Sequence, residues 1–149
     1  MDEKVILLVE DNADDEVLTL QALRKNNIRN EVVVARDGTG ALDYLFGTGA
    51  YAGRDLSLMP QVILLELKLP KIDGFEVLNR VRSSEATKFL PVVILTTSNE
   101  DQDRIRSYGL GANSFVRKPV AFEKFIEAVR QLGLYWLILN DPGPVPRRP

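Results

Sequence analysis

The chain has 149 residues, of which 45% are hydrophobic and 27% are charged, and its net charge is −2. These values are typical of one globular domain with one core, and they exclude a disordered chain and a basic surface for nucleic acid. The sequence contains no cysteine and no histidine, which excludes disulfides, thiolate or imidazole metal ligands, and catalysis by a Ser–His or Cys–His pair.

The N-terminal part of the chain predicts a strand followed by an amphipathic helix. The strand covers residues 4–9, and Asn12 or Asp14 is expected to cap the helix after it. Acidic residues crowd the first turn of this helix, where the helix dipole favours them. Its predicted apolar stripe consists of Val17, Leu18, Leu20 and Leu23.

The middle of the chain predicts two further strands, with a helix and a loop between them. A short strand at residues 31–35 leads to a helix at residues 40–46 and to an exposed loop at residues 47–59. The run Val62–Leu65 is apolar without a break, as expected of a strand buried on both faces of a parallel sheet. Glu66 follows this strand directly, and the next helix begins after a glycine turn.

The rest of the chain adds two strands and two helices. Strands are predicted at residues 92–95 and 114–116, with a helix from Asn99 or Asp101 between them and a last helix from about Phe122. Strands that alternate with helices five times predict an α/β fold. We expect a five-stranded, parallel, doubly wound (flavodoxin-like) sheet with helices on both faces, (βα)5.

The last residues are more apolar than one further helix of this domain requires. We therefore expect a domain at residues 1–131 and a C-terminal extension at residues 132–149, made of an apolar segment and a proline-rich tail. An apolar helix must be covered on more than one side, so the extension predicts a homodimer. Alternatively, the segment folds back over the loop at residues 47–59. The residues expected in the dimer interface are Tyr135, Trp136, Ile138 and Leu139.

Polar side chains follow the ends of several predicted strands. Glu10 and Asp11 follow the first strand, Glu66 the third, Thr96 the fourth and Lys118 the fifth. Since the carboxyl ends of parallel strands meet at one edge of the sheet, we expect these groups to converge there. Converging carboxylates need a cation, and Mg²⁺ prefers carboxylate oxygens together with water and a phosphate.

This order of residues resembles the receiver domains of response regulators in two-component signalling. The resemblance covers residues 4 to 131 and rests on five motifs at the expected strands. In that family, the acid after the third strand accepts a phosphoryl group from a sensor histidine kinase. The resemblance implies that Asp11 binds Mg²⁺ directly and Glu10 through water, with Glu66 and the backbone carbonyl of Lys68 as further ligands.

The resemblance also implies roles around the phosphoryl group. Thr96 and Lys118 would hold its oxygens, with Thr97 beside it, and Thr96 and Phe115 would act as the conformational switch. The loop at residues 47–59 and the apolar extension resemble single-domain receivers that pair with bacterial phytochromes. A bacterial phytochrome is therefore the expected kinase partner. No DNA-binding region follows, so we expect the protein to act by contact alone. Because the sequence shows no leader pattern and no stretch long enough to span a bilayer, we expect a cytoplasmic protein without a membrane partner. The net charge favours no nucleic-acid partner, and we expect that the protein is not an enzyme.

One position departs from the family pattern: the phosphoacceptor is aspartate in the family, and this chain has Glu66. The longer side chain displaces the carboxylate, and phosphoryl transfer depends on positioning. We therefore expect either a phospho-mimic that is not phosphorylated or a natural pseudo-receiver. The alternative is a phosphorylation-independent interaction module whose acidic pocket is a relic.

Two rival interpretations fit less well. A flavodoxin-like FMN binder needs a phosphate loop of backbone N–H groups after the first strand, where this chain is acidic at residues 10–15. A hydrolase that forms an aspartyl-phosphate needs a second acid two residues after the nucleophile, where this chain has Lys68.

Overall fold

The structure, a computed structural model, describes residues 5–25, 28–118, 124 and 127. Five strands form one sheet in the order β2-β1-β3-β4-β5, and every pair is parallel. The predicted parallel, doubly wound sheet is confirmed. The strands are β1 (Ile6–Val9), β2 (Val32–Ala35), β3 (Val62–Leu65), β4 (Val92–Thr96) and β5 (Ser114–Arg117).

Helices connect successive strands, and side chains cap three of them. The Asn12 side chain accepts the Asp15 backbone N–H at 2.9 Å, which confirms the predicted cap, and Asp37 and Asp73 cap the next two helices in the same way. The helices are α1 (Ala13–Lys25), α2 (Gly38–Phe46), α3 (Gly74–Ser83) and α4 (Asp101–Gly109).

The predicted last helix and the extension at residues 132–149 lie outside the described residues. Of the last helix, only Lys124 and Glu127 are described, and both are helical and exposed. The expected interface residues of the extension are among those outside the described range. The homodimer therefore stays a prediction.

The core lies in two layers, one on each face of the sheet. On one face, side chains of α2 and α3 pack against alternate residues of the strands, including Leu7, Ile63 and Ile94. On the other face, Leu23 of α1 and Ile28 pack against the intervening strand residues. Because helices cover both faces, as predicted, the carboxyl ends of the strands remain open for polar groups.

The orientation of α1 differs from the prediction. Val17 and Leu18 were expected to face the core, but they are 51% and 59% exposed, while Thr19 and Leu23 are buried. Successive helical residues are about 100° apart, so a buried Thr19 turns its two predecessors outward. The helix buries one hydroxyl and presents two adjacent apolar side chains to solvent.

The loop between α2 and β3 is mostly exposed, as predicted, but it is anchored more firmly than its glycines suggest. It begins with a 3₁₀ helix at Gly49–Tyr51. The Tyr51 ring packs edge-on against Tyr44, with 5.1 Å between the ring centroids. The Arg54 guanidinium lies 4.0 Å from the centroid of the Tyr44 ring and donates to the Tyr44 carbonyl at 2.6 Å.

Candidate functional site

The carboxyl ends of the strands carry a cluster of buried polar side chains. Glu10 follows β1, Glu66 follows β3, Thr96 ends β4 and Lys118 follows β5, and all four side chains are buried. Parallel pairing places these positions at one edge of the sheet, as the sequence predicts.

The centre of this cluster is the ammonium group of Lys118. Its Nζ lies 2.6 Å from Glu10 Oε1, 2.8 Å from Asp15 Oδ2 and 2.8 Å from Glu66 Oε1. The Lys118 side chain is 4% exposed. An ammonium has three N–H groups, so each can donate to one of these three carboxylates.

The second oxygen of each buried glutamate is held by backbone N–H groups. Glu10 Oε2 accepts the Asn12 N–H at 3.2 Å. Glu66 Oε2 accepts the Leu67 N–H at 2.7 Å and the Lys68 N–H at 3.3 Å. Both carboxylates are therefore fixed at both oxygens, and the Glu66 side chain folds over the loop that follows its own strand.

The pKa values in the cluster follow from burial and charge. Burial alone would lower the pKa of Lys118, but hydrogen bonds to Asp15, Glu10 and Glu66 outweigh it and hold the pKa above its usual value. Burial raises the pKa of Glu10, and the Lys118 ammonium offsets part of that rise. The lysine is therefore a permanent cation near neutral pH.

Asp15 occupies the place in this cluster that the sequence analysis gave to Asp11. Asp11 is exposed and is not among the described carboxylates that converge here, which are Glu10, Asp15 and Glu66. The expected convergence of Asp11 is wrong, whereas its role as a metal ligand stays a prediction.

Thr96, the fourth member of the cluster, bonds to the backbone after its own strand, and the other predicted residues are not among the described partners of Lys118. Thr96 Oγ1 accepts the Ser98 backbone N–H at 3.3 Å, and Thr97 is exposed. Phe115 is partly buried and packs against the core layer formed with α2 and α3. The signalling roles of Thr96 and Phe115, and the metal contact of the Lys68 carbonyl, stay predictions.

The loop from β3 to α3 is held close to the cluster by tight packing. A Cβ atom at Gly74 would lie 2.7 Å from Leu67 Cα, so only glycine fits where the helix begins. The Gly74 N–H donates to the Leu67 carbonyl at 2.8 Å, and Lys71 pairs with Asp37 at 3.3 Å. The backbone N–H groups that hold Glu66 therefore belong to a fixed loop.

Comparison with known proteins identifies the family. Residues 6–130 match the response regulator receiver domain. The chain belongs to this family. The probable methanogenesis regulatory protein FilR2 of Methanothrix harundinacea is 42% identical to this chain, over 96% of this chain and 90% of its own length.

The chain is also similar to solved receiver structures, one of them from a bacteriophytochrome response regulator. The bacteriophytochrome response regulator AtBRR is 55% identical, with a TM-score of 0.84 over 95% of this chain and 100% of its own. Rcp1 of Synechocystis is 39% identical over 90% of this receiver and 89% of its own length. A Mn²⁺-bound structure of Rcp1 has a TM-score of 0.75, at 36% identity, over 95% of this chain and 99% of its own.

The carboxylates of this receiver form a donor set that fits a hard divalent cation. One oxygen from each of Glu10, Asp15 and Glu66 lies within 4.8 Å of the other two. Three carboxylates and one ammonium leave a net charge of −2 in the cluster. A divalent ion with oxygen ligands matches both the charge and the donor type.

None of the described helices is long and apolar enough to cross a membrane.

Proposed function

We propose that this receiver acts in two-component signalling by protein contact, in a state that Glu66 sets without phosphorylation. The observation that carries the proposal is the pairing of Glu66 with Lys118 at 2.8 Å. Lys118 is the residue that the family resemblance assigns to a phosphoryl oxygen. The glutamate carboxylate thus occupies one of the contacts that an acyl phosphate would make.

The imitation of the phosphorylated state is incomplete. Thr96 Oγ1 bonds to the Ser98 N–H, and Glu66 uses its other oxygen on the Leu67 and Lys68 N–H groups. A carboxylate also brings one negative charge, whereas a phosphoryl group brings nearly two. We infer a fixed state in which Lys118 is engaged and Thr96 is not.

We further propose that the pocket binds Mg²⁺ weakly. Glu10 and Glu66 would hold the ion, together with the predicted ligands Asp11 and the Lys68 carbonyl, and a bound ion would neutralise the negative charge of the cluster. The Mn²⁺-bound form of the relative Rcp1 supports a divalent site in this type of receiver. Lys118 already neutralises the same carboxylates, which is why we expect modest affinity.

The proposed partner is a sensor histidine kinase of the bacterial phytochrome type, met in the cytoplasm. The similarity to AtBRR supports this choice. The exposed pair Val17 and Leu18 lies on α1, whose first turn carries Asp15 to the pocket. A partner helix that docked on α1 beside the pocket would cover the exposed parts of these two apolar side chains.

We also propose a homodimer through the apolar segment of the extension. Ile105 and Tyr108 on α4 are 67% and 49% exposed, which adds apolar surface on the domain itself.

Trp136→Glu is expected to give a monomer with an unchanged circular dichroism spectrum, because a charge in an apolar interface is poorly solvated. Sedimentation of both forms at about 50 μM measures this, since a micromolar interface is mostly occupied there. An unmodified chain that is already monomeric would contradict it.

Hydrogen exchange after treatment with a phosphodonor tests the proposed signalling state. With acetyl phosphate and Mg²⁺, the unmodified chain is expected to keep the same amide exchange in residues 96–101, because Glu66 does not take up the phosphoryl group. Glu66→Asp is expected to change exchange there, since a phosphoryl group recruits Thr96. An equal change in both forms contradicts a fixed state. No change in either form favours the relic-pocket alternative.

A further inference from the structure

Asp15 differs from the other two carboxylates that hold Lys118. Glu10 and Glu66 follow strands, their side chains are 2% and 7% exposed, and backbone N–H groups hold their second oxygens. Asp15 lies in the first turn of α1 and its side chain is 29% exposed. Within the described part of the chain, Lys118 is the cation that it pairs with.

Lys118 and a divalent cation compete for the same buried oxygens. The ammonium lies within 2.8 Å of Glu10 and Glu66, which are also the acids proposed to hold Mg²⁺. Two cations this close repel each other strongly in a site with little water. A divalent cation held by these glutamates would therefore displace Lys118 from them, and an unpaired ammonium would be costly there.

We propose that Asp15 is a positioning residue that retains Lys118 when a divalent cation occupies Glu10 and Glu66. Its ion pair at 2.8 Å lies on the α1 side of the pocket and includes neither buried glutamate. Lys118 can keep this pair while it leaves the other two. Asp15 therefore assists metal binding through Lys118 and is not itself required as a ligand. This inference rests on the Mg²⁺ site proposed above.

Isothermal titration of Mg²⁺ into the full chain tests the role of Asp15. Asp15→Asn is expected to weaken Mg²⁺ binding about tenfold, because Lys118 then has no acid except those the metal needs. The matched control is Asp14→Asn, which removes the same charge from the same helical turn at an exposed residue. This control is expected to change the affinity by about twofold or less. Equal losses in both variants overturn the proposal.

A double-mutant cycle with Lys118→Met separates positioning from direct ligation. Without the lysine, Asp15→Asn is expected to lose no more affinity than Asp14→Asn does. A tenfold loss that persists in the Lys118→Met background shows that Asp15 binds the metal itself and overturns the proposal. Circular dichroism at 10 °C verifies that each variant is folded.

A conservative variant keeps the proposal testable if Lys118→Met does not fold. Asp15→Glu retains a carboxylate beside Lys118, so it is expected to bind Mg²⁺ within about threefold of the unmodified chain. A loss as large as that of Asp15→Asn overturns the role. If neither the unmodified chain nor any variant binds Mg²⁺, the role is also overturned. The proposed receiver function is then tested independently of Asp15, by the hydrogen exchange of the unmodified chain and of Glu66→Asp with acetyl phosphate.

Discussion

A Glu66→Asp variant is expected to accept a phosphoryl group from acetyl phosphate and Mg²⁺ at least about 100-fold faster than the unmodified chain. In the reaction, a carboxylate oxygen of the aspartate attacks phosphorus, acetate leaves, and an acyl phosphate forms. Glu66 is poorly placed for this attack, since Lys118 holds one of its oxygens and the Leu67 and Lys68 N–H groups hold the other.

The shorter side chain relieves this arrangement by withdrawing the carboxylate by about one carbon–carbon bond. A displacement of about 1 Å is enough to change an alignment-dependent rate about 100-fold. The shorter aspartate side chain also leaves room for Lys118 to contact an oxygen of the incoming phosphoryl group. The lysine would then stabilise the charge of the transition state, as positioned cations do in phosphoryl transfer.

Intact mass and the lability of the label to base measure the modification. Glu66→Asn is the matched control, because it has the length of aspartate but no nucleophilic oxygen, and it is expected to stay unlabelled. Equal labelling of the unmodified chain and the aspartate variant would show that Glu66 aligns well enough. An unlabelled aspartate variant would show that the pocket itself is defective.

A Lys118→Met variant is expected to lose about 3 kcal/mol of the free energy of unfolding without metal, or roughly 10 °C in melting temperature. The lysine is the shared cation of three carboxylates, two of them buried. Its removal leaves Glu10 and Glu66 without a cation in a place that water reaches poorly. The expected loss is at the lower end for a broken buried pair, because Asp15 is partly exposed.

Mg²⁺ is expected to restore most of this stability, because it binds the folded pocket and supplies the missing charge. Its effect on the melting temperature should therefore be larger in Lys118→Met than in the unmodified chain. Lys88→Met is the matched control: Lys88 pairs with Glu85 at the surface, at 3.0 Å, and its loss is expected to cost about 0.5 kcal/mol or less. Melting curves that show equal losses for the two variants would contradict a central role for Lys118.

The strands and the edge that carries the site were predictable because both depend on strong local signals. The run Val62–Leu65 is apolar without a break, and parallel pairing brings the residue after it to the same edge as Glu10 and Lys118. Chain order and the direction of the strands were sufficient for that inference. Which side chains between β1 and the first turn of α1 enter the pocket depends on local backbone geometry, for which the sequence carries only a weaker signal.

The predictions for Asp11 and for the buried face of α1 failed at this level of detail. Asp11 is exposed, and Asp15 contacts Lys118. The helix dipole already accounts for an acid at position 15, in the first turn of α1, so its presence alone did not predict the contact with Lys118. The weaker signal was the short connection: α1 begins at Ala13, soon after β1 ends at Val9, which keeps its first turn near the strand ends. On the same helix, Thr19 took the buried position expected of its apolar neighbours.

The anchored loop between α2 and β3 also makes the protein convenient to label. It lies at the amino ends of the strands, whereas Lys118 lies at the carboxyl ends, so the whole sheet separates the two. Ala52 is exposed in this loop, and the sequence contains no cysteine. A single cysteine at Ala52 would therefore give one thiol for a fluorescent dye or for attachment to a sensor surface. A partner could then be observed arriving at the pocket edge, with the chemistry of the pocket untouched by the probe.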